Sequence, residues 1–383
     1  MLASGSCRSG AQTSQASDGG HDAPPACVLV EKDYGPDGSV PVRAVRVVSG
    51  LEVPWAIAFL PGGDMLVTER PGRLRLVKDG TLEPDPVAAF PIPQNAGEGG
   101  LLGVALHPDF AKNRFFFVVV THDEGGGLKN RVARYRLAED SRSATFDRVI
   151  LDDIAAHIIH DGGRLRFGPD GMLYVGTGDV GRAERSRDRS SLNGKLLRIT
   201  PDGGIPPDNP FPGSPVWLSG LRNTEGFDWL DESTVVIADH GPSGEFGRRG
   251  HDELNVASRG DDLGWPTIFG CETGEGMVTP IVSWVQAVPP GGLAIYRGGS
   301  IKEWNGSVLM GTLGSRHLHR FVLEDERVKS HEVYFRGDPP AGLGRLREVI
   351  VGPDAELFVT TSNCDGRGTC PATKDEILRI EAG

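Results

Sequence analysis

The chain has 383 residues, of which 52 are acidic and 40 basic, so its formal net charge is −12 and its pI is about 5.3. Such an excess of negative charge, without any run of Lys or Arg, argues against binding to nucleic acid. No apolar stretch approaches the length of a membrane span.

The first residues have a composition unlike the rest of the chain. Residues 1–26 are rich in Ser, Gly, Gln and Asp and cannot bury a core, so they are predicted to form a disordered tether before a folded domain over residues 27–383. The start resembles the tether of a bacterial lipoprotein with a shortened signal peptide, in which Cys7 carries the lipid anchor. A plain disordered start or a misplaced start codon explains these residues equally well.

Six apolar segments follow turn signals along the chain, at intervals of 49 to 73 residues. They lie at residues 65–67, 115–118, 173–175, 235–237, 308–310 and 357–359. Each is followed by a second segment in which apolar and charged residues alternate, as in a half-buried antiparallel strand. The second segments lie at residues 73–77, 131–135, 195–199, 252–256, 317–322 and 376–380.

Repeats of this kind favour one closed all-β architecture. Units of roughly 40–50 residues with several strands each are typical of propeller blades, so the sequence predicts a six-bladed β-propeller. The longer middle units must contain inserted loops, and such loops commonly hold the functional site. A β-sandwich or a pair of small β domains is the alternative.

The five cysteines bear on the compartment. Cys364 and Cys370 flank a polar, Gly-rich turn and are close enough in sequence to form a disulfide. If Cys7 stays apart, Cys27 and Cys271 are a possible second pair, although four cysteines allow three connectivities. No cysteine spacing indicates a zinc site, and the pattern favours an oxidising, extracytoplasmic compartment.

Polar side chains concentrate in loops beside these strands. His160 and Arg164 flank two glycines, Arg222 stands beside Asn223, and Arg345 and Arg347 are two positions apart. Planar guanidinium groups suit carboxylates, so these four arginines are predicted to converge on a ligand with several carboxylate groups.

These stretches also occur in a known family and in its order. The chain resembles the soluble pyrroloquinoline quinone (PQQ)-dependent glucose/sorbosone dehydrogenases, and in particular their aldose sugar dehydrogenase branch, over about residues 51–380. The segments that carry the resemblance are residues 54–56, 68–70, 97–103, 160–165, 193–199, 221–223, 240–242, 252–255, 264–266 and 345–347.

The resemblance implies roles for individual residues. His160 matches the general base that removes the proton of the anomeric hydroxyl, a task that suits an imidazole. Arg222 matches the catalytic residue that neutralises charge on the reduced quinone, with Asn223 beside it at the cofactor. Arg345 and Arg347 match the pair that holds the cofactor carboxylates.

The same resemblance implies a metal ion. Gly241 and Pro242 match the pair whose backbone carbonyls bind the catalytic Ca²⁺, which acts as a Lewis acid on the quinone carbonyl. Asp252 and Glu253 are either ligands of a second, structural Ca²⁺ or a solvated acidic pair.

Three features depart from the family pattern. Glu98 lies close to the cofactor where much of the family has a glutamine, and its charge would repel PQQ unless an arginine or Ca²⁺ offsets it. The cofactor-binding lysine of the family has no convincing match, and Arg316 is only a weak substitute. Residues 243–251 form a longer connection than usual beside the expected Ca²⁺ site.

The expected activity is oxidation of aldose sugars to lactones with PQQ and Ca²⁺, with electrons passing to a quinone or a redox protein. One alternative is a Ca²⁺-dependent lactonase or related hydrolase on the same fold, which would require acidic and amide side chains around its metal. A second alternative is a non-catalytic propeller that binds glycans or a protein partner.

Overall fold

The computed structural model describes residue 1 and residues 27–383. Apart from residue 1, the predicted tether over residues 1–26 lies outside the described residues, and so does the predicted lipid anchor at Cys7. The fold described below begins at Cys27.

Nearly all regular structure is β-strand. The first half of the chain contains β1 (Val28–Val30), β2 (Val42–Leu51), β3 (Pro54–Phe59), β4 (Met65–Glu69), β5 (Arg73–Lys78), β6 (Thr81–Leu82), β7 (Ala88–Ala89), β8 (Leu101–Leu106), α1 (Phe110–Asn113), β9 (Phe115–Asp123), β10 (Leu128–Leu137), β11 (Ala144–Ala155), β12 (Leu165–Phe167), β13 (Leu173–Gly176) and β14 (Leu196–Ile199). The second half contains β15 (Val216–Leu218), β16 (Thr224–Trp229), β17 (Thr234–Asp239), β18 (Glu253–Ser258), β19 (Val282–Trp284), β20 (Pro290–Ile295), β21 (Val308–Thr312), β22 (Leu318–Glu324), β23 (Arg327–Tyr334), β24 (Leu346–Val351), β25 (Leu357–Thr361) and β26 (Asp375–Ala382). Short 3₁₀ turns lie at Ala183–Ser186, Glu245–Gly247 and Lys302–Trp304. In the described part of the chain no helix is long and apolar enough to cross a membrane.

The strands form six antiparallel sheets arranged in a ring. Blade 1 is β3 to β7, blade 2 is β8 to β11, blade 3 is β12 to β15, blade 4 is β16 to β19, blade 5 is β20 to β23, and blade 6 is β24, β25, β26 and β2. The innermost strand of each blade contacts the next blade, and β24 contacts β3 to close the ring. The predicted six-bladed propeller is therefore confirmed, and the sandwich alternative is wrong.

The repeated sequence pattern corresponds to fixed places in each blade. All six apolar segments lie in the second strand of a blade, and the six alternating segments coincide with the third strand, although three of them start one residue before it. The second strands are buried from both sides because the blades pack face to face, so they read as continuous apolar runs. For example, every residue of β17 is buried.

The N-terminal segment connects three blades. β1 pairs in parallel with β19 at the outer edge of blade 4, Asp37 bridges to Val333 in blade 5, and β2 pairs antiparallel with β26 to complete blade 6. Both expected disulfides are present: Cys27–Cys271 ties this segment to blade 4, and Cys364–Cys370 closes a loop in blade 6.

Strand direction decides which loops can build a site. Because neighbouring strands within a blade are antiparallel, the loop from second to third strand and the loop into the next blade open on the same face of the ring. Side chains on these two kinds of loop can therefore meet over the centre of the propeller.

Candidate active site

Loops from all six blades enclose a cavity of about 270 Å³ on that face. Six residues predicted for the site line it: Glu98, His160, Arg222, Asn223, Arg345 and Arg347. Each of them lies on a loop that enters a new blade, or at the first residues of its innermost strand. Trp55, Asp161, Glu225 and His240 are among the other lining residues.

His160 is held in one orientation by a buried carboxylate. Its Nδ1 is 2.6 Å from Oδ1 of Asp179, and the other Asp179 oxygen accepts a hydrogen bond of 2.9 Å from the indole of Trp265. An imidazole whose Nδ1–H donates to a carboxylate presents Nε2 as the basic nitrogen. No described protein group hydrogen-bonds to this Nε2.

The backbone at His160 is also constrained. Its φ of 60° lies in the left-handed region, which non-glycine residues occupy mainly at turns and functional sites. Its N–H donates to Oε2 of Glu98 at 2.8 Å, which fixes the strained turn from a second side.

Asp179 was missed by sequence reasoning. It follows strand β13 in the loop that leads to β14, so it reaches the same face as His160 from the same blade. The only signal in the sequence is a Gly-Asp pair after an apolar strand, and that pattern occurs at many turns.

Arg222 and Asn223 are oriented through their backbone. Their N–H groups donate to the two oxygens of Asp239, at 2.7 and 2.8 Å, and the Asn223 side chain accepts the N–H of Gly162 at 2.9 Å. Burial raises the pKa of Asp239 to about 7, although the two N–H donors oppose that shift. The pair is thereby locked to the His160 turn.

The Arg222 guanidinium has a partner from the unusually long connection. Its NH2 group donates to Oε1 of Glu245 at 2.6 Å, while its buried Nε has no partner among the described residues. Burial opposes ionisation of Glu245, but its hydrogen bond with Arg222 outweighs this and lowers the Glu245 pKa. Residues 243–251 therefore place an anion on the predicted catalytic arginine.

Arg345 and Arg347 converge on one carboxylate. Arg345 donates to Oδ2 of Asp365 through Nε at 2.9 Å and NH2 at 2.7 Å, and NH2 of Arg347 is 3.8 Å from the same oxygen. Arg347 also pairs with Glu225, which lines the cavity. Burial raises the pKa of Glu225, and the Arg347 charge opposes that rise.

The charge of Glu98 is offset by an arginine that the sequence did not indicate. NH2 of Arg367 lies 2.7 Å from Oε1 of Glu98. Burial alone would raise the pKa of Glu98, but the His160 N–H and the Arg367 charge outweigh it and lower the pKa. Arg70 also lines the cavity, so five guanidinium groups surround it rather than the predicted four.

Two predicted arginines lie elsewhere. Arg164 is fully buried beneath the cavity, where it pairs with Glu348 and donates to the carbonyl of Glu225, so its predicted convergence on the ligand is wrong. The physical reason is that Arg164, directly before β12, is held by these two partners and packs over the Trp55 ring, with its guanidinium carbon 4.5 Å from the ring centroid. Arg316 pairs with Asp338 and does not line the cavity.

Burial shifts the pKa values of two other residues that line the cavity. Burial raises the pKa of Asp161 to about 8, even though Asn130 and the His157 N–H donate to one of its oxygens. Burial lowers the pKa of His240 to about 4, so its neutral ring donates through Nε2 to the carbonyl of Pro290 at 2.7 Å. Both groups are therefore neutral at pH 7.

The predicted Ca²⁺ ligands are buried between two lining residues, His240 and Ser243. The carbonyl oxygens of Gly241 and Pro242 accept no hydrogen bond from the described residues. A Cβ at Gly241 would lie 2.1 Å from the carbonyl oxygen of Gly250, so only glycine fits this turn. Free carbonyl oxygens beside a cofactor carboxylate are a donor set that suits a hard cation.

The two residues of the neighbouring acidic pair differ in exposure, since Asp252 is buried and Glu253 is partly exposed. Asp252 is 4% exposed, and its oxygens accept the N–H groups of Gly241, at 3.0 Å, and Val288, at 2.6 Å. Burial raises the pKa of Glu253 well above its usual value. In the part of the chain that the structure describes, no cluster of three or more His, Cys, Asp or Glu could hold a metal ion, so a second Ca²⁺ at Glu253 stays a prediction.

The balance of charge indicates the kind of ligand that fits. Of the five cavity arginines, Arg222, Arg345, Arg347 and Arg367 each pair with one carboxyl group, and Arg70 has no salt bridge among the described residues. The guanidinium groups therefore outnumber their carboxyl partners by one, next to a base and two carbonyl oxygens that accept no hydrogen bond from the described residues. A planar anion with several carboxylates would satisfy the guanidinium donors.

Comparisons with known proteins identify a family that the chain matches over most of its length. The model of the glucose/sorbosone dehydrogenase family matches residues 51–378. The chain is 30% identical over 345 residues to the aldose sugar dehydrogenase YliI of Escherichia coli, which covers 82% of this chain and 89% of that protein. It is 28% identical over 265 residues to quinoprotein glucose dehydrogenase B of Acinetobacter calcoaceticus, with 60% of this chain and 53% of that protein covered.

A solved structure is similar over almost the whole length. The PQQ-bound aldose sugar dehydrogenase of Streptomyces coelicolor superposes with a TM-score of 0.79 at 35% identity, covering 91% of this chain and 99% of that chain.

Proposed function

The chain belongs to the glucose/sorbosone dehydrogenase family, and we propose that it oxidises aldose sugars at the anomeric carbon to lactones with PQQ and Ca²⁺. The observation that carries the proposal is the His160–Asp179 pair beside a cavity lined by five arginines. A base next to a polyanion site is the arrangement that such a reaction requires.

The proton is handled by residues of this chain. Nε2 of His160 takes the proton of the anomeric hydroxyl, and Asp179 stabilises the imidazolium through Nδ1–H. The second hydrogen leaves the anomeric carbon with its electron pair, so the sugar loses two electrons and two hydrogens and becomes a lactone. When bound, PQQ supplies the acceptor for that hydride, and Ca²⁺ polarises its carbonyl.

The arginines divide into two roles. Arg345 and Arg347 line the cavity, where they can bind cofactor carboxylates, and Asn223 lines it with its side chain fixed by the Gly162 N–H. The buried Nε of Arg222 has no hydrogen-bond partner among the described residues and is available to a developing negative charge. The carbonyls of Gly241 and Pro242 would hold the Ca²⁺.

The remaining expectations concern the surroundings of the enzyme. An acceptor of the quinone or redox-protein class would reoxidise the cofactor. The two disulfides support an extracytoplasmic location, periplasmic or secreted, because such bonds persist in oxidising compartments. Lipidation of Cys7, which lies outside the described residues, stays part of the proposal.

Reconstitution tests the function directly. Purified apo-protein mixed with PQQ and Ca²⁺ should bind PQQ saturably and then reduce an artificial electron acceptor when glucose or another aldose is added. Saturable PQQ binding without sugar oxidation would favour a binding propeller, and hydrolysis of lactones with Ca²⁺ alone would favour a lactonase. Absence of PQQ binding overturns the proposal.

A further inference from the structure

The disulfide Cys364–Cys370 closes a short loop between β25 and β26, here called the 364–370 loop. The loop opens on the face that carries the cavity. It contains Asp365 and Arg367, and neither residue has a role in the proposed reaction.

Asp365 connects the loop to three cavity arginines. Its side chain is 1% exposed, and its Oδ2 accepts both hydrogen bonds from Arg345 and faces Arg347. Its backbone oxygen accepts a hydrogen bond of 3.4 Å from Arg70. Although burial opposes ionisation of Asp365, the charges of Arg345 and Arg347 outweigh it and lower the Asp365 pKa.

Arg367 brings a further guanidinium to the cavity. Its side chain is 61% exposed and lines the cavity, where it pairs with Glu98 on the loop that enters blade 2. Four of the five cavity arginines are thus part of the 364–370 loop, hydrogen-bonded to it or, for Arg347, in a longer ion pair with it. Arg222 is the one cavity arginine outside this group.

Apart from the contacts of Asp365 and Arg367, the described residues give the loop few hydrogen bonds. Four of its residues are exposed: Gly366, Arg367, Thr369 and Cys370. At the N-terminal end of the loop, the Cys364 N–H donates to Asp375 at 3.2 Å. The disulfide joins the two ends, whose Cα atoms are 4.3 Å apart. A crosslink across so short a loop removes most of its alternative conformations.

We propose that the 364–370 loop is an anion clamp for the cofactor: Arg367 is a further cofactor-binding residue, and the Cys364–Cys370 disulfide is the element that positions it. The inference rests on the proposed function, because the anion it binds is PQQ. It adds that cofactor affinity depends on the oxidised state of one disulfide.

The first test measures PQQ binding to apo-protein in the presence of Ca²⁺. Arg367→Ala should raise the Kd for PQQ roughly tenfold, less than a fully buried arginine would, because water screens a partly exposed charge. Arg43→Ala is a matched control, since Arg43 pairs with Glu381 at the same 2.7 Å and is 64% exposed, far from the cavity. Equal Kd values for the wild type and the Arg367 variant would overturn the clamp.

A second variant separates the two effects of that substitution. Arg367→Ala removes a positive charge from the cavity. It also removes the ion-pair partner of Glu98, and the negative charge of Glu98 then repels PQQ. Glu98→Gln removes the repulsion while its side-chain oxygen can still accept the His160 N–H, so it should tighten PQQ binding. If Arg367→Ala has no effect in the Glu98→Gln background, Arg367 acts only by neutralising Glu98 and does not bind cofactor.

The third test addresses the disulfide. The double substitution Cys364→Ser and Cys370→Ser should raise the Kd for PQQ roughly five- to tenfold, because Arg367 is retained but the loop is no longer held in one position. Cys27→Ser with Cys271→Ser removes the other disulfide and should leave the Kd unchanged. Circular dichroism checks that each variant is folded. An unchanged Kd without Cys364–Cys370 would refute its positioning role, whereas failure of the wild type to bind PQQ would refute the proposed function itself.

Discussion

His160 is the residue whose loss should affect chemistry and little else. Its Nδ1 is bonded to Asp179 and its Nε2 is left for substrate, whereas the guanidinium groups that would hold PQQ lie on other loops. We expect His160→Ala to lower kcat by about 10²- to 10⁴-fold, the usual contribution of a positioned base, with little change in PQQ affinity. His157→Ala is the control, because His157 is exposed on the same loop and lies outside the cavity. Wild-type turnover in folded, PQQ-saturated His160→Ala protein would show that another group is the base.

Asp161, the next residue, should make stability depend on pH. Burial raises its folded-state pKa to about 8, against about 3.9 for an unfolded Asp, so the folded protein retains a proton that the unfolded chain loses. The contribution of protonated Asp161 to the free energy of unfolding is fully present below pH 4 and is lost as the pH rises towards 8. Asp161→Asn imitates the protonated form, so its free energy of unfolding relative to the wild type should increase from pH 4 to 8 and then stay constant. Urea denaturation at several pH values measures this difference, and a pH-independent difference would contradict it.

The residues that sequence reasoning found and missed differ in a physical way. His160, Arg222 and Arg345 stand in segments with several recognisable neighbours, so their sequence context identifies them. Asp179 and Arg367 acquire their roles only through contacts with residues 19 and 269 positions away, respectively. A pairing of this kind depends on how loops of different length meet, and one sequence contains no direct signal of it.

At the scale of elements, strands could be predicted well and loops poorly. Alternation and apolar runs are local signals, and each of the six pairs of segments is a second and third strand in the structure. The sequence indicates that the connection over residues 243–251 is unusually long, but its effect on the cavity depends on one contact, the Glu245–Arg222 ion pair. Loop conformation is determined by neighbours outside the loop, so its contacts were not predictable.

That loop should compete with the cofactor for Arg222. Glu245 is ionised and bonded to the guanidinium at 2.6 Å, so an incoming anion must displace or share it. Glu245→Gln should therefore lower the Kd for PQQ severalfold, because the neutral amide is a weaker partner for arginine than the carboxylate. Glu272→Gln is the matched control, since Glu272 pairs with Arg248 of the same loop at 2.7 Å without touching Arg222. Weaker PQQ binding in Glu245→Gln would mean that Glu245 instead orients Arg222 for the ligand.

At the scale of the whole molecule, the site depends on closure of the ring. The cavity takes residues from all six blades, so its geometry is fixed only when blade 6 is complete. Blade 6 obtains its fourth strand, β2, from the opposite end of the chain, and the N–H of Gly383 donates to the carbonyl of Pro41 at 2.9 Å. The repeat in the sequence predicted the number of blades. It did not predict that β26 pairs with β2, because these two strands lie more than 300 residues apart in the chain.

Two truncations should distinguish the role of β2, which closes the ring of blades, from that of β1, which attaches the N-terminal segment to blade 4. A chain that starts at residue 52 lacks β2, which removes the buried side chains of Val48 and Leu51 from a cluster with Ile377 and leaves β26 as an open edge. Since an unpaired edge strand promotes aggregation, this chain should lose cooperative unfolding or become insoluble. A chain that starts at residue 42 lacks β1 and Cys27 but keeps β2, so its six blades stay closed. It should unfold cooperatively, at a Tm lower by several degrees, and retain PQQ binding. Thermal unfolding with size-exclusion chromatography distinguishes the two chains, and equal behaviour of both would show that β2 does not close the ring.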